Sequence, residues 1–498
     1  MIATRRTAPT TPGRRLDPRM VTFLGVMAAM FLAALDQTIV GTAMPTIARE
    51  LGGVTRYTWV TTVYLLTSTA VVPVVGKLSE QLGRKRVFLA AIVAFLAGSA
   101  LCGLAPSMNW LIGFRGLQGI GAGMLTGTAF AVIADLFSPA ERGKYTGMVA
   151  GVFGIASVVG PLVGGGLTDH AGWRWVFYVN IPIGALVLAV LARTFPSMRR
   201  SGIKPRIDFA GAALIAGGAA LLVLGASLEG TDGWGYPPVG LSLVAGVVLM
   251  VVALLHERRT PEAVLPPELF KSSIFSVATA VTFLMGAVMF GAITYIPLFL
   301  QGVVGVHATS SGLTMLPLMA GLVVASIAGG QLISRTGRYR IQALAGMGAV
   351  AAGIFLTTLL DARSTQGQVT PAMVILGLGL GLSMPVFNVV SQNAVPHRLM
   401  SSATGAVQFS RQIGATLGLA VMGSYFNARL SAHGGTLAHI TGEQLRLAYS
   451  GAIHDVFFVA LLGSALTLLV AAFLREIPLR TANHAEEHRE TIAAPAVA

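Results

Sequence analysis

Residues 57–105 read YTWVTTVYLLTSTAVVPVVGKLSEQLGRKRVFLAAIVAFLAGSALCGLA. Every charged residue in this stretch falls between Lys77 and Arg86. On each side lies an apolar run close to the ~20 residues that cross a hydrocarbon core as a helix. Two apolar segments joined by a short basic turn mark a polytopic membrane protein, and the rest of the chain follows the same pattern. Of its 498 residues 54% are hydrophobic and 11% charged, against about 25% charged in soluble proteins. That composition excludes an ordinary cytosolic enzyme and a disordered chain. Sixty glycines suit helices packed closely in lipid. The single cysteine, Cys102, allows no intramolecular disulfide and no thiolate metal site.

Apolar runs place spans near 20–46, 57–77, 86–105, 109–135, 143–168, 174–194, 208–228, 239–257, 274–299, 309–334, 340–360, 371–395, 401–428 and 451–475. The expected class is an all-α polytopic membrane protein with 14 transmembrane helices. Residues 1–19 and 477–498 are polar tails. The formal net charge of +14 has no basic face of the kind that binds nucleic acid. Instead, about 26 Lys and Arg fall on the side of the two tails, about 6 on the other, and two inside spans. This asymmetry predicts that both termini are cytoplasmic, and one miscounted span would destroy it.

The turn Gly76–Arg86 has a weak echo at Gly330–Arg340, after the tenth span. Internal duplication of this kind is typical of secondary transporters. It divides the chain into a six-helix bundle over 20–194, a linker with two extra helices over 195–273, opening with the basic segment Arg199–Arg206, and a second six-helix bundle over 274–476.

Within the spans, ionised side chains are rare. Asp36 lies some 16 residues past Met20, roughly 24 Å along a helix. A carboxylate at that depth faces a cavity, pairs with a cation or takes up a proton. It is therefore a candidate proton carrier, or else a permanently paired structural acid. Asp455, one turn into the last expected span, reads as an interfacial residue. Arg115 and Arg411 are the two cations embedded in apolar sequence, each needing carbonyls, water or a carboxylate. Polar or adaptable side chains inside spans are candidates for a broad substrate pocket: Gln37, Gln118, Asn180, Tyr295, Gln301, Met384, Asn388, Gln392 and Gln408. Any of them could instead join two helices. Trp59 and Trp110 read as interfacial anchors. There is no P-loop, no metal-ligand spacing and no Ser-His-Asp arrangement, so no catalytic site, cofactor or metal is expected.

Several motifs resemble the major facilitator superfamily, and within it the fourteen-span drug:proton antiporters of the EmrB/QacA type. Leu35-Asp36-Gln37-Thr38-Ile39-Val40 is similar to that group's first-span motif, with Gly41 where Asn is usual. Gly76–Arg86 resembles the superfamily's loop pattern, with Glu80 for Asp and Gln81 for Arg. Arg115-Gly116-Leu117-Gln118-Gly119 resembles the span-4 motif, and Gly160-Pro161-Leu162-Val163-Gly164-Gly165 the antiporter motif of span 5. The resemblance implies the major facilitator fold and no enzyme. It implies an exporter exchanging protons for amphiphilic drugs or antibiotics by alternating access in a bacterial inner membrane, as a monomer in the bilayer. Dedicated export of an endogenous lipid or secondary metabolite is the alternative, and a non-transporting sensor a third reading. The resemblance further implies that Arg115 influences protonation of Asp36. Arg411, read from its apolar surroundings alone, is a candidate for a cavity or relay role in the coupling. The resemblance assigns Gly76, Glu80, Gly83, Arg84 and Asp135 to a cytoplasmic latch. Gly160, Pro161, Gly164 and Gly165 would form a hinge that also bars proton leak.

Overall fold

In lipid a backbone must satisfy its own hydrogen bonds, so apolar runs of this length fold as helices. The computed structural model describes residues 18–51, 57–137, 139–196, 208–233, 235–260, 263–306, 313–396, 399–434 and 442–478. Among these residues the regular structure is entirely helical. The basic linker 199–206 and nearly all of both tails lie outside the described residues.

The first half comprises α1 (Pro18–Leu51), α2 (Tyr57–Leu82), α3 (Arg84–Gly103), α4 (Met108–Leu136), α5 (Pro139–His170), α6 (Trp175–Tyr178) and α7 (Asn180–Thr194). Two further helices follow, α8 (Phe209–Asp232) and α9 (Pro237–Glu257). The second half comprises α10 (Ser273–Phe299), α11 (Leu316–Thr336), α12 (Arg340–Thr358), α13 (Gln366–Asn393), α14 (Met400–Gly434) and α15 (Gly442–Ala472). Among the described residues, eleven helical segments are long and apolar enough to cross a membrane, with α6 and α7 counted together. The apolar stretch of α8 is shorter. The continuous helices α5 and α14 fall outside the eleven; α14 is diluted by Gln408, Arg411 and Gln412.

Several boundaries differ from the sequence expectation. The sixth expected span is interrupted at Val179, between α6 and α7. Helix α13 starts at Gln366, before the expected 371, because Thr365 and Gln368 form a reciprocal capping box. Helix α15 starts at Gly442 rather than near 451. Asp455 is therefore well inside a helix, where its Oδ2 lies 2.6 Å from Arg429 Nε.

Close packing uses small residues. Gly119, Gly123 and Gly127, one turn apart on α4, lie against Tyr64, Ser68 and Val72, one turn apart on α2. A Cβ on Gly119 or Gly123 would overlap α2 backbone. The second half repeats the device: Gly377 and Gly381 of α13 lie against Leu318 and Leu322 of α11. The two echoed basic turns also match in backbone. Gly83, before α3, has φ 96°, and Gly337, closing α11, has φ 67°; L side chains rarely adopt either conformation.

Helix α8 bridges the halves through an apolar cluster of Ala70 on α2, Ala219 and Val223 on α8, and Phe409 and Ile413 on α14. Helix α9 packs on α8 through Gly218, Gly225 and Gly246. Its other face, with Leu241, Val244, Val248 and Leu255 all more than half exposed, presents the apolar surface that lipid covers.

Candidate functional site

Helix α1 is apolar enough to be buried whatever its partners, and that carries Asp36 inside with it. Asp36 is 0% exposed. A carboxylate without water needs donors, and two other helices, α4 and α7, supply them. Arg115 Nη1 donates to Asp36 Oδ2 at 2.5 Å, while Gln118 Nε2 and Asn180 Nδ2 donate to Oδ1 at 2.8 and 2.9 Å. Arg115 and Gln118 are three residues apart on α4 and so share a face. Asn180 opens α7, immediately after the interruption at Val179.

A second tier holds these donors. Gln118 Oε1 accepts from Arg115 Nη1 at 2.8 Å and from Cys102 Sγ at 3.6 Å. The Arg115 guanidinium lies 4.0 Å from the Tyr64 ring centroid, and its Nε donates to the Val60 carbonyl at 3.4 Å. The Tyr64 hydroxyl donates to the Ala33 carbonyl at 3.4 Å. Asn180 Nδ2 also donates to Ser99 Oγ, which donates to the Phe177 carbonyl. Every polar neighbour of Asp36 offers it an N–H, the environment an ionised carboxylate requires.

The site lies next to a helix contact. Thr38, two residues after Asp36, donates to the Leu35 and Ala156 carbonyls at 2.9 and 3.0 Å, linking α1 to α5. Gly160 and Gly164 face Thr38 and Thr42, leaving no room for a Cβ. A Cβ on Gly165, by contrast, would meet nothing within 4 Å. Helix α5 continues through Pro161, whose side chain lies outside the described residues. On its opposite face α5 packs on α11, with Gly147 against Ser326 and with Gly151 and Gly154 against Val323. The halves therefore touch at the end carrying the basic turns. Toward the other end Gln37 and Gly41 form an exposed face of α1.

At the basic turns, Arg84 Nε lies 2.8 Å from Asp135 Oδ2. Its Nη1 donates to the Gly76 carbonyl at 3.2 Å and to Ser79 Oγ. Glu80 is partly buried.

The second half has its own polar chain. Arg411 Nη2 donates to Gln408 Oε1 at 2.5 Å, Gln408 Nε2 to Asn388 Oδ1 at 3.1 Å, and Asn388 Nδ2 to the Met384 carbonyl at 3.1 Å. These four residues line a small cavity. Thr282 and Met285 of α10, Phe387 of α13 and Val407 of α14 complete its wall.

The structure thus divides the pocket candidates. Met384, Asn388 and Gln408 share one cavity with Arg411. Gln118 and Asn180 are fully buried around Asp36 instead. Gln392 donates to Thr404 Oγ1 at 3.1 Å. Tyr295 packs at a tilt against Phe426, ring centroids 5.3 Å apart, away from that cavity. Gln301 is exposed in the π-turn Leu300–Val304 that follows α10. Sequence reasoning did not single out Tyr64, Ser99 or Thr42, and named Thr38 only as part of the first-span motif. The glycine spacing 119, 123 and 127 was the available pointer to Tyr64.

The profile of the Major Facilitator Superfamily matches residues 26–419. The chain belongs to that superfamily. It is a multi-pass membrane protein and a transporter rather than an enzyme. It is 41% identical over 413 residues to the multidrug transporter protein MdtP of Bacillus subtilis, covering 82% of this chain and 76% of that one. It is 36% identical over 416 residues to multidrug resistance protein 3 of the same organism, covering 83% and 81%. In fold it is similar to the proton:xylose symporter XylE, with a TM-score of 0.66 over 93% of this chain and 97% of that one at 14% identity.

Proposed function

We propose that this superfamily member is a fourteen-span, proton-coupled exporter of amphiphilic small molecules, residing in a bacterial inner membrane with both termini cytoplasmic. It works as a monomer, without cofactor, exchanging entering protons for departing substrate. The names of its relatives MdtP and multidrug resistance protein 3 support the efflux direction. The asymmetric distribution of Lys and Arg supports the orientation.

The observation that carries the reading is the sealed carboxylate of Asp36, held by Arg115, Gln118 and Asn180 from two other helices. Taking up a proton there removes the charge that draws three helices together. The loosened α1 carries Thr38, which is bonded to the Ala156 carbonyl of α5. Helix α5 in turn packs against α11 of the other half. Protonation thereby reaches the contact that closes one end of the bundle. Proton binding and substrate binding then favour opposite states, which is the requirement for antiport.

The test is substrate-evoked proton movement in proteoliposomes holding wild type or Asp36→Asn. The wild type should show proton flux that depends on an amphiphilic drug, and the variant none above empty liposomes. Equal signals from both would remove Asp36 from the coupling.

A further inference from the structure

Two carboxylates and an imidazole converge where the α8–α9 hairpin meets the lead into α10. Asp208 precedes α8 and caps it, its Oδ1 accepting from Gly211 N at 2.9 Å. His256, in the last turn of α9, has its Nε2 3.1 Å from both Asp208 oxygens and 3.3 Å from Thr260 Oγ1. Glu257 ends α9 and is 2% exposed. The Leu265 amide donates to its Oε2 at 3.0 Å, and the Val264 amide also favours the carboxylate. The buried Oε1 has no hydrogen-bond partner.

That oxygen looks onto the other carboxylate. A Cβ on Gly211 would run into Asp208 Oδ2 and Glu257 Oε1 together, so both oxygens flank the one spot that the glycine leaves open. The surroundings are apolar: Ile215 of α8, Ala253 of α9 and Val264 are each no more than 2% exposed. Asp208 and His256 are the titratable groups facing Glu257, and His256 is bonded to Asp208. Arg258 and Arg259, next in the chain, are exposed. Among the described residues no Lys or Arg pairs with either carboxylate, and no cluster has the make-up of a metal site. An ionised carboxylate with one dry, unbonded oxygen beside a second carboxylate is costly twice over, through lost hydration and through like charge. One proton between the two oxygens removes both costs.

We propose that Glu257 and Asp208 form a proton-binding site, separate from Asp36, in which Glu257 Oε1 carries a proton at neutral pH and turns it toward Asp208 Oδ2. The site lies at a junction. Leu265, bonded to Glu257, packs on Leu269, Phe275, Val395 and Ala403 at the entrance to the second half. Loss of the proton sets two like charges across Gly211 and loosens the tie between the inserted hairpin and that half. The proposal goes beyond the exporter reading and needs nothing from it.

The test follows the infrared C=O stretch of protonated carboxyls in the full chain, in nanodiscs, from about pH 6 to about pH 10, a range in which an ordinary glutamate is ionised throughout. Subtracting Glu257→Gln from wild type should leave one carboxyl band at neutral pH that fades as pH rises. The glutamine copies the shape of the protonated acid and offers Asp208 an N–H. Glu257→Gln should therefore melt no lower than wild type at pH 7. It should also lose part of the alkaline decline in melting temperature, because a proton held by the folded chain and not by the unfolded one makes stability fall as pH rises. Asp208→Asn removes the neighbouring charge and keeps the cap, so the band should fade about one pH unit earlier; this comparison with wild type carries the test if Glu257→Gln yields no protein. A difference spectrum without a carboxyl band would overturn the proposal. So would a Glu257→Gln protein that melts well below wild type at pH 7, which would make an ionised Glu257 the structural species. Stabilisation of wild type, and not of Glu257→Gln, by sodium chloride over choline chloride would make the site one for a metal cation instead.

Discussion

Arg115 Nη1 stands 2.5 Å from Asp36 Oδ2, and neither side chain is more than 1% exposed. Each charge is tolerable only because the other is present. Arg115→Gln should destabilise the protein by about 3–5 kcal/mol, measured by thermal or denaturant unfolding in detergent. The double variant Arg115→Gln/Asp36→Asn should recover most of that loss. If the two single effects simply add, the residues do not act as a pair.

The glycine ladder between α4 and α2 makes a steric prediction. Gly123→Val drives a side chain into the Ser68 backbone and should cost about 3 kcal/mol or abolish folded yield, since overpacking against backbone is not relieved by a rotamer change. Gly165→Ala, at a position with open space around it, should leave the melting temperature near that of wild type. Equal sensitivity at both positions would contradict the packing described.

At the basic turn, Arg84 secures Asp135, Ser79 and the Gly76 carbonyl together. Arg84→Ala should therefore lose more stability than Asp135→Asn. Gly83→Ala should cost about 1–3 kcal/mol through backbone strain alone, because φ is 96° there. A cysteine placed at Gly405, which faces Pro73 across the halves, should label faster with a thiol reagent in the Arg84→Ala background. Unchanged labelling would separate the ion pair from closure of that end.

Tyr339, in the matching turn of the second half, donates from its hydroxyl to the Arg475 carbonyl at 3.0 Å and accepts from Ile477 N at 2.7 Å. Burial pushes its phenol above the ordinary value, with the Ile477 amide working against it. A raised folded value means that the stabilisation is complete below about pH 10 and declines as pH rises beyond it. Tyr339→Phe should cost about 1–3 kcal/mol at neutral pH and should flatten the loss of stability above pH 10. A Tyr339→Phe profile as steep as wild type in that range would assign the alkaline loss to other groups.

Much of this architecture was legible in the residues, and the reasons are physical. Hydrophobic runs and basic turns located the helices because the bilayer admits little else. Asp36, Arg115 and Arg411 stood out because charge is rare in apolar sequence. What escaped was direction. A lone amide carries no sign of whether it faces a cavity or another helix, so Gln118 and Asn180 read as pocket candidates yet hold Asp36. The start of the last helix escaped for a different reason: Gly442–Ser450 is too polar to register as a span, although α15 includes it and so places Asp455 well inside a helix. Arg429, its partner, sits on a neighbouring helix, a relationship no linear spacing reveals.

The insertion of α8 and α9 has a mechanical corollary. Because α8 touches α2 on one flank and α14 on the other, any rocking of one half against the other must shear across it. The sliding surface is alanine and valine against a few larger apolar groups, the dry, smooth contact a bearing needs. Bulky substitution at Ala219 would act as grit, slowing turnover with the ligand sites untouched.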